Sequence, residues 1–226
     1  MRESVKASSH FAERSAQPPV LEGFEHIRRF WNPRNGIWTA KILPGEYFVT
    51  HHDEVVTTVL GSCISVCMRD PDLGVGGMNH FMLPEDRSTG ASPWLQGPGG
   101  LATRYGSYAM ESLINELMKL GAVRERLEVK LFGGARILSS MSDVGAKNIQ
   151  FAREFLELER FTILAEDVGD TCPRHVDYYP ATGRVMLKHL QALSAPAIAS
   201  EETRYIERLG KERGGDDVEL FDHREA

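Results

Sequence analysis

No stretch of this sequence approaches the ~18 consecutive apolar residues of a membrane-spanning helix, and Met1 to Val20 lacks the ~7–15-residue apolar run of a secretory signal. The expectation is a soluble cytoplasmic protein, not a membrane protein. Cysteine is scarce: three residues, an odd number, give no disulfide framework where thiols are kept reduced, and they leave a free thiol for chemistry. No C-x-x-C pair occurs, and His51-His52-Asp53 alone is a weak ligand set, so neither a metal nor another cofactor is expected. Positive charge is also in deficit. With 26 Lys and Arg against 32 Asp and Glu, the net charge of -6 disfavours a nucleic-acid partner, which would require a basic face for phosphates. The one basic and aromatic run, His26-Ile27-Arg28-Arg29-Phe30-Trp31, is read first as a packed or solvated segment and second as a docking patch for RNA or an acidic protein.

What is present fits one large globular domain with tails. Residues 1–40 are read as a partly flexible N-terminal extension, 41–191 as the folded domain, and 192–226 as a C-terminal helix followed by a solvated tail. Strand-like runs span Thr57 to Met68, Val75 to Leu83, Leu127 to Phe132, Phe161 to Ala165 and Arg184 to Lys188, each rich in branched or aromatic residues and bounded by turn signals. Met110, Leu113, Ile114, Leu117 and Leu120 follow a helical stripe that Gly121 stops. Two weaker helices are expected, over about Asn148 to Leu158 and Ser200 to Leu209, the latter capped by Ser200 with Glu201 and Glu202 on its positive end. Strands and helices do not alternate regularly, so the fold class is α+β and not a doubly wound parallel sheet. The glycine- and proline-rich stretch from Pro84 to Thr103 is longer than an ordinary connection and carries Trp94, which suggests a lid or substrate-contact loop.

Chemistry concentrates between Thr57 and Pro84. A strand ending in Gly61-Ser62-Cys63 and Ile64 to Met68 is followed by Asp70-Pro71-Asp72 and Gly74, good turn chemistry, and then by a second strand containing His80. If the turn centres on Pro71 and Asp72, facing positions sum to 143 and Cys63 lies opposite His80, at a Cβ separation of ~4.5–5.5 Å. A left-handed bulge at Gly74 would slip the register by one residue and send the two side chains to opposite faces. A thiol beside an imidazole can form a thiolate–imidazolium pair, and thiolate is the form that attacks a carbonyl carbon. Gly61 and Ser62 remove bulk just before Cys63, so a ligand can approach backbone N–H groups as an oxyanion site requires. Thr57 lies an even number of residues from Cys63 and shares its face if the strand is regular. The competing reading is a small packed cysteine and a satisfied core histidine. Cys67 lies in an apolar run and reads as packing, and Cys172 is a loop cysteine without an assigned role.

The blocks Thr57-x-x-Leu60-Gly61-Ser62-Cys63, Arg69-Asp70-Pro71 and His80-x-Met82-Leu83-Pro84 resemble the chemoreceptor glutamine deamidase family, CheD. Further family-like blocks are Leu43-x-Gly45-Glu46-Tyr47, Phe132-Gly133-Gly134-Ala135, Gly145-Ala146-x-Asn148, Ala165-Glu166-Asp167-x-Gly169 and Thr182-Gly183-Arg184. The resemblance implies a three-layer α/β/β sandwich similar to the catalytic domain of the cytotoxic necrotizing factor toxins, with 41–191 as the catalytic domain. It also implies Cys63 as nucleophile, His80 as base and Thr57 as third member of a triad, with backbone N–H groups near Ser62 and Gly61 binding the oxyanion. The implied activity is deamidation of glutamine side chains on the cytoplasmic domains of methyl-accepting chemotaxis receptors, through a cysteine thioester. A CheC-type phosphatase is the implied partner. Alternatives are a non-catalytic chemotaxis adaptor, and a thiol hydrolase of the same fold acting on glutamyl methyl esters.

Overall fold

The computed structural model describes residues 14–83, 101–137, 144–191 and 195–212. Two five-stranded sheets form the body. The first has the order β1 (Arg28–Asn32), β2 (Ile37–Lys41), β4 (Glu54–Leu60), β9 (Arg174–Tyr179) and β10 (Arg184–His189). The second has the order β3 (Tyr47–Thr50), β6 (Val75–Asn79), β5 (Ile64–Asp70), β7 (Glu128–Gly133) and β8 (Ile163–Val168). Helix α1 (Leu101–Lys119) packs on β3, β5 and β6, and α2 (Val144–Leu158) packs on β5 and against α1. Buried side chains of both sheets, among them Val56, Leu60, Val176 and Tyr178 from one and Val66, Cys67, Met68 and Met78 from the other, belong to a single apolar core. The expected α+β class is the one observed.

Periodicity explains much of this arrangement. In β9, Arg174, Val176 and Tyr178 are buried while His175, Asp177 and Tyr179 are partly exposed, the period of two that puts one face of a strand on a core. In α1 the stripe Met110, Leu113, Ile114 and Leu117 is buried against the second sheet, and Gly121 follows with φ +91°, a left-handed helix stop. The helix starts at Leu101, earlier than the stripe alone indicates. Most of the proposed lid, Pro84 to Gly100, lies outside the described residues.

Three expectations change. The run Thr57 to Met68 is not one strand: β4 belongs to the first sheet, β5 to the second, and Gly61-Ser62-Cys63 carries the chain between them. The boundary at residue 40 also moves, because Arg28–Lys41 forms β1 and β2 and β2 pairs in parallel with β4. In the basic and aromatic run, the Arg29 side chain is buried and bonded to Glu54 and to the Pro18 carbonyl, while His26, Arg28 and Phe30 are exposed, so the run leads into an edge strand with one packed and one solvated side. Finally, helix α3 (Ala195–Glu212) begins five residues before Ser200, so Glu201 and Glu202 lie past its first turn. Pro196 occupies that first turn, where a missing N–H costs no intrahelical bond. Among the described residues, no helix is long and apolar enough to cross a membrane.

Candidate active site

The chain crosses between the sheets at Gly61-Ser62-Cys63, and there the backbone points its donors and acceptors to opposite sides. The three carbonyls are held by the interior: Gly61 accepts from Ala135 N–H at 2.7 Å, Cys63 from Gly134 N–H at 2.7 Å, and Ser62 from the Asn148 side-chain amide at 2.8 Å. Close approach makes this possible. Gly133 has φ +115°, and a Cβ there would lie 2.2 Å from the Cys63 carbonyl oxygen. Buried Arg174 in turn bonds the carbonyls of Gly133, Asp167 and Gly169 and fixes the strand ends behind this turn.

The three N–H groups converge on one carboxylate, that of Glu202 in α3. Gly61 and Cys63 N–H donate to Oε1, each at 3.2 Å, and Ser62 donates to Oε2 through its N–H at 3.2 Å and its hydroxyl at 2.6 Å. Successive N–H groups around one anion form a nest, the arrangement that also stabilises an oxyanion. Ser62 and Gly61, expected from sequence near such a site, are therefore part of a donor cradle that includes Cys63. Glu202 had no assigned role beyond the helix dipole. Its clue in the sequence is a carboxylate on the apolar stripe of an amphipathic helix, four residues after Ile198 and three before Tyr205.

The hairpin that carries Cys63 and His80 pairs in a register other than the symmetric one. Pairs in the β5–β6 hairpin sum to 145, as in Cys67 with Met78 and Asp70 with Val75, and the bridge of Ile64 with Phe81 continues it. Gly74 is left-handed, with φ +65°, and the loop is four residues long, not two. The shift is even, so Cys63 and His80 keep the same parity and face, but as diagonal neighbours: in this register Cys63 is opposite Met82, and Ser65 is opposite His80. Both residues are buried, with Cys63 fully so and His80 at 2 % exposure.

The His80 ring has a defined tautomer. The Thr58 hydroxyl donates to the Ile42 carbonyl at 2.8 Å, so its oxygen accepts from His80 Nδ1–H at 2.8 Å. That leaves Nε2 carrying the lone pair, buried and without a hydrogen-bond partner. Burial lowers the imidazole pKa to about 3, and the nearby Ile42 carbonyl offsets this in part. Burial also pushes the Cys63 thiol well above its ordinary range, and the charge and hydrogen bond of Glu202, then Glu201, push it further. With Glu202 in place the thiol and the imidazole are each held neutral, whereas the spacing led to the expectation of a thiolate–imidazolium pair.

Thr57 lies elsewhere. Its hydroxyl donates to Asp177 at 2.5 Å and sits 2.8 Å from His175 Nε2, on the partly exposed face of the first sheet. Parity along a regular strand failed because Gly61–Cys63 bends the chain into the other sheet. Thr58, one residue on, points inward and makes the contact with His80 that was expected of Thr57. Cys67 is buried in β5, where burial raises its thiol pKa, and Cys172 is a half-exposed free cysteine. Asn148, at the end of the Gly145-Ala146-x-Asn148 block, also bonds Leu83 N–H at 2.9 Å, so one amide holds both sides of the cleft.

Comparison with known proteins agrees with these sequence blocks. The family model described as CheD chemotactic sensory transduction matches residues 82–189. A probable chemoreceptor glutamine deamidase CheD of Hahella chejuensis is 48 % identical over 212 residues, covering 93 % of this chain and 99 % of the relative. The corresponding protein of Hydrogenovibrio crunogenus is 53 % identical over 191 residues, covering 84 % of this chain and 97 % of the relative. A third, from Halorhodospira halophila, is 45 % identical over 204 residues, covering 90 % of this chain and 94 % of the relative. The chain belongs to the CheD family. The matched span of the CheD model begins after both Cys63 and His80, whereas an alignment over 93 % of the chain takes in both positions.

Proposed function

We propose that this chain deamidates glutamine side chains on the cytoplasmic domains of methyl-accepting chemotaxis receptors, with Cys63 as nucleophile and His80 as acid and base. The observation that carries this reading is the cradle: a glutamate side chain, the product of such a reaction, is held by three backbone N–H groups directly against the Cys63 thiol. The names of the relatives, probable chemoreceptor glutamine deamidases, supply the substrate class.

Two neutral groups call for a concerted start: with substrate bound, His80 Nε2, which holds a lone pair, accepts the thiol proton as sulfur attacks the carboxamide carbon, and no standing ion pair is needed. The N–H groups of Gly61, Ser62 and Cys63 hold the developing oxyanion. His80 returns the proton to the departing ammonia, leaving a thioester. The imidazole next takes a proton from water, hydroxide adds to the thioester carbon, and the thiol leaves with that proton as glutamate forms. Thr58 is the orienting third member, in place of Thr57, because it fixes the tautomer that keeps Nε2 free. The two sheets with helices on one side fit the three-layer α/β/β sandwich. The site needs no metal for these steps. A CheC-type phosphatase remains a proposed partner and the cytoplasm the proposed location.

Ammonia release from a receptor cytoplasmic fragment tests the assignment. Cys63→Ala is expected to abolish release, while Cys67→Ala and Cys172→Ala retain it. Release by the Cys63→Ala protein would remove the nucleophile from the mechanism.

A further inference from the structure

Helix α3 covers the site through one face. Ile198, Glu202 and Tyr205, spaced i, i+4 and i+7, meet the body at Gly61, at the N–H cradle and at Gly45 respectively. Both glycines are contact points with no room for a side chain: a Cβ on Gly61 would lie 2.8 Å from Glu202 Oε1 and 3.0 Å from Ile198, and one on Gly45 2.6 Å from the Tyr205 hydroxyl. Between α3 and the Ile42–Pro44 segment lies a cavity of about 150 Å³ whose lining includes Thr58, His80, Ile198 and Glu202. The unpartnered His80 Nε2 is therefore on a residue that borders the space beside the Glu202 carboxylate. The outward residues of α3, Ser200, Glu201 and Arg204, are exposed and polar.

We infer that α3 is an internal stand-in for the substrate: Glu202 occupies the place of the reacting glutamine side chain of a helical partner segment, and Cys63 stays covered until that segment displaces α3. The identity of the incoming group rests on the deamidase reading above. Three features suit a stand-in better than a permanent structural helix. The side chain in the cradle is a glutamate, which differs from glutamine only in the group that deamidation exchanges. It is bonded to the nucleophile and to the donors an oxyanion needs, not to a distant part of the fold. With it in place the thiol is fully buried, so no external amide can reach the sulfur. The cover also holds the thiol protonated, since a carboxylate beside sulfur disfavours thiolate. A displacing helix is expected to repeat the face of α3, with glutamine at the position of Glu202, an apolar residue four positions before it and an aromatic or apolar residue three after.

The test is the alkylation rate of Cys63 by iodoacetamide in the full-length protein, followed by peptide mapping, together with ammonia release from a receptor cytoplasmic fragment. Glu202→Ala is expected to alkylate at Cys63 about tenfold faster or more, and to release ammonia with a lower KM, because the open form no longer competes with its own helix. Tyr205→Ala loosens the contact at Gly45 without touching the cradle and is expected to shift both readouts in the same direction. It serves in place of Glu202→Ala should that protein fail to fold. Unchanged alkylation in a folded variant, with ammonia still released by the unsubstituted protein, overturns the stand-in role and leaves the deamidase reading intact. Faster alkylation with no ammonia from any form supports the cover and overturns the deamidase reading instead.

Discussion

At His80 the third member of the proposed triad is decided by a single proton. Thr58 has one hydroxyl hydrogen and gives it to the Ile42 carbonyl, so its oxygen can only accept, and the ring must place its own proton on Nδ1. Thr58→Val removes the acceptor and frees the ring to take the other tautomer. The expected result is a kcat for ammonia release reduced by about 10- to 100-fold with KM little changed, less than the ~10²–10⁴-fold of general acid–base catalysis because Thr58 only orients the base. Thr57→Val, outside the cleft, is expected to stay near the unsubstituted rate. Steady-state kinetics on a receptor fragment checks both, and the reverse order would return the role to Thr57. The shared parity of Cys63 and His80 was legible in the sequence because parity in a hairpin survives any even shift of register, and the actual shift was two. Thr57 was misplaced because parity holds only within a strand, and nothing short of the fold shows that a glycine and a serine redirect the chain into another sheet.

Helix α3 was foreseen as an element but not as part of the site. Its amphipathic spacing is visible in the sequence, whereas the surface that accepts it is assembled from Leu43–Gly45, Gly61–Cys63 and Ile137, segments far apart along the chain. The strands not foreseen, β1 to β3 and β9, are short and interrupted by charged or polar residues such as Arg29, Thr39 and Asp177, and β3 and β9 pair with neighbours distant in sequence. If α3 presents a substrate-like side chain, Glu202→Gln places a carboxamide in the cradle of its own enzyme. That carboxamide is expected to be hydrolysed during expression or incubation, raising the mass of the α3 peptide by about 1 Da through loss of ammonia and gain of water. The double variant Cys63→Ala with Glu202→Gln should keep its carboxamide. Retention in the single variant, with Cys63 slow to alkylate as in the unsubstituted protein, would mean that the cradle holds the group in an unreactive pose.

For the molecule as a whole, the buried neutral imidazole ties stability to pH. The unfolded chain takes up the His80 proton near pH 6.5, the folded chain only near 3, so the unfolded state binds more protons between these values. Stability from this site is complete above pH 6.5 and is lost as pH falls towards 3, by at most roughly 4–5 kcal/mol. His52, also held down by burial, acts with the same sign. Asp70, whose carboxyl is kept near a pKa of about 2 by hydrogen bonding to Arg126, contributes a separate loss between about pH 3.8 and 2. His80→Gln is therefore expected to flatten the decline in urea midpoint between pH 6.5 and 4 while leaving the steeper fall below pH 4. An unaltered slope in that upper window would show that the imidazole is hydrated in solution.

The central claim, that Cys63 converts receptor glutamine to glutamate, meets its most direct test in the mass of the substrate. A receptor cytoplasmic fragment is incubated with the unsubstituted protein or with Cys63→Ala, digested, and mapped peptide by peptide. Gains of about 1 Da are expected at particular glutamines with the first protein and none with the second, since an amide is exchanged for an acid by way of the thiol. A loss of about 14 Da at methylated glutamates, an unmodified fragment, or the same gains with Cys63→Ala would each contradict it.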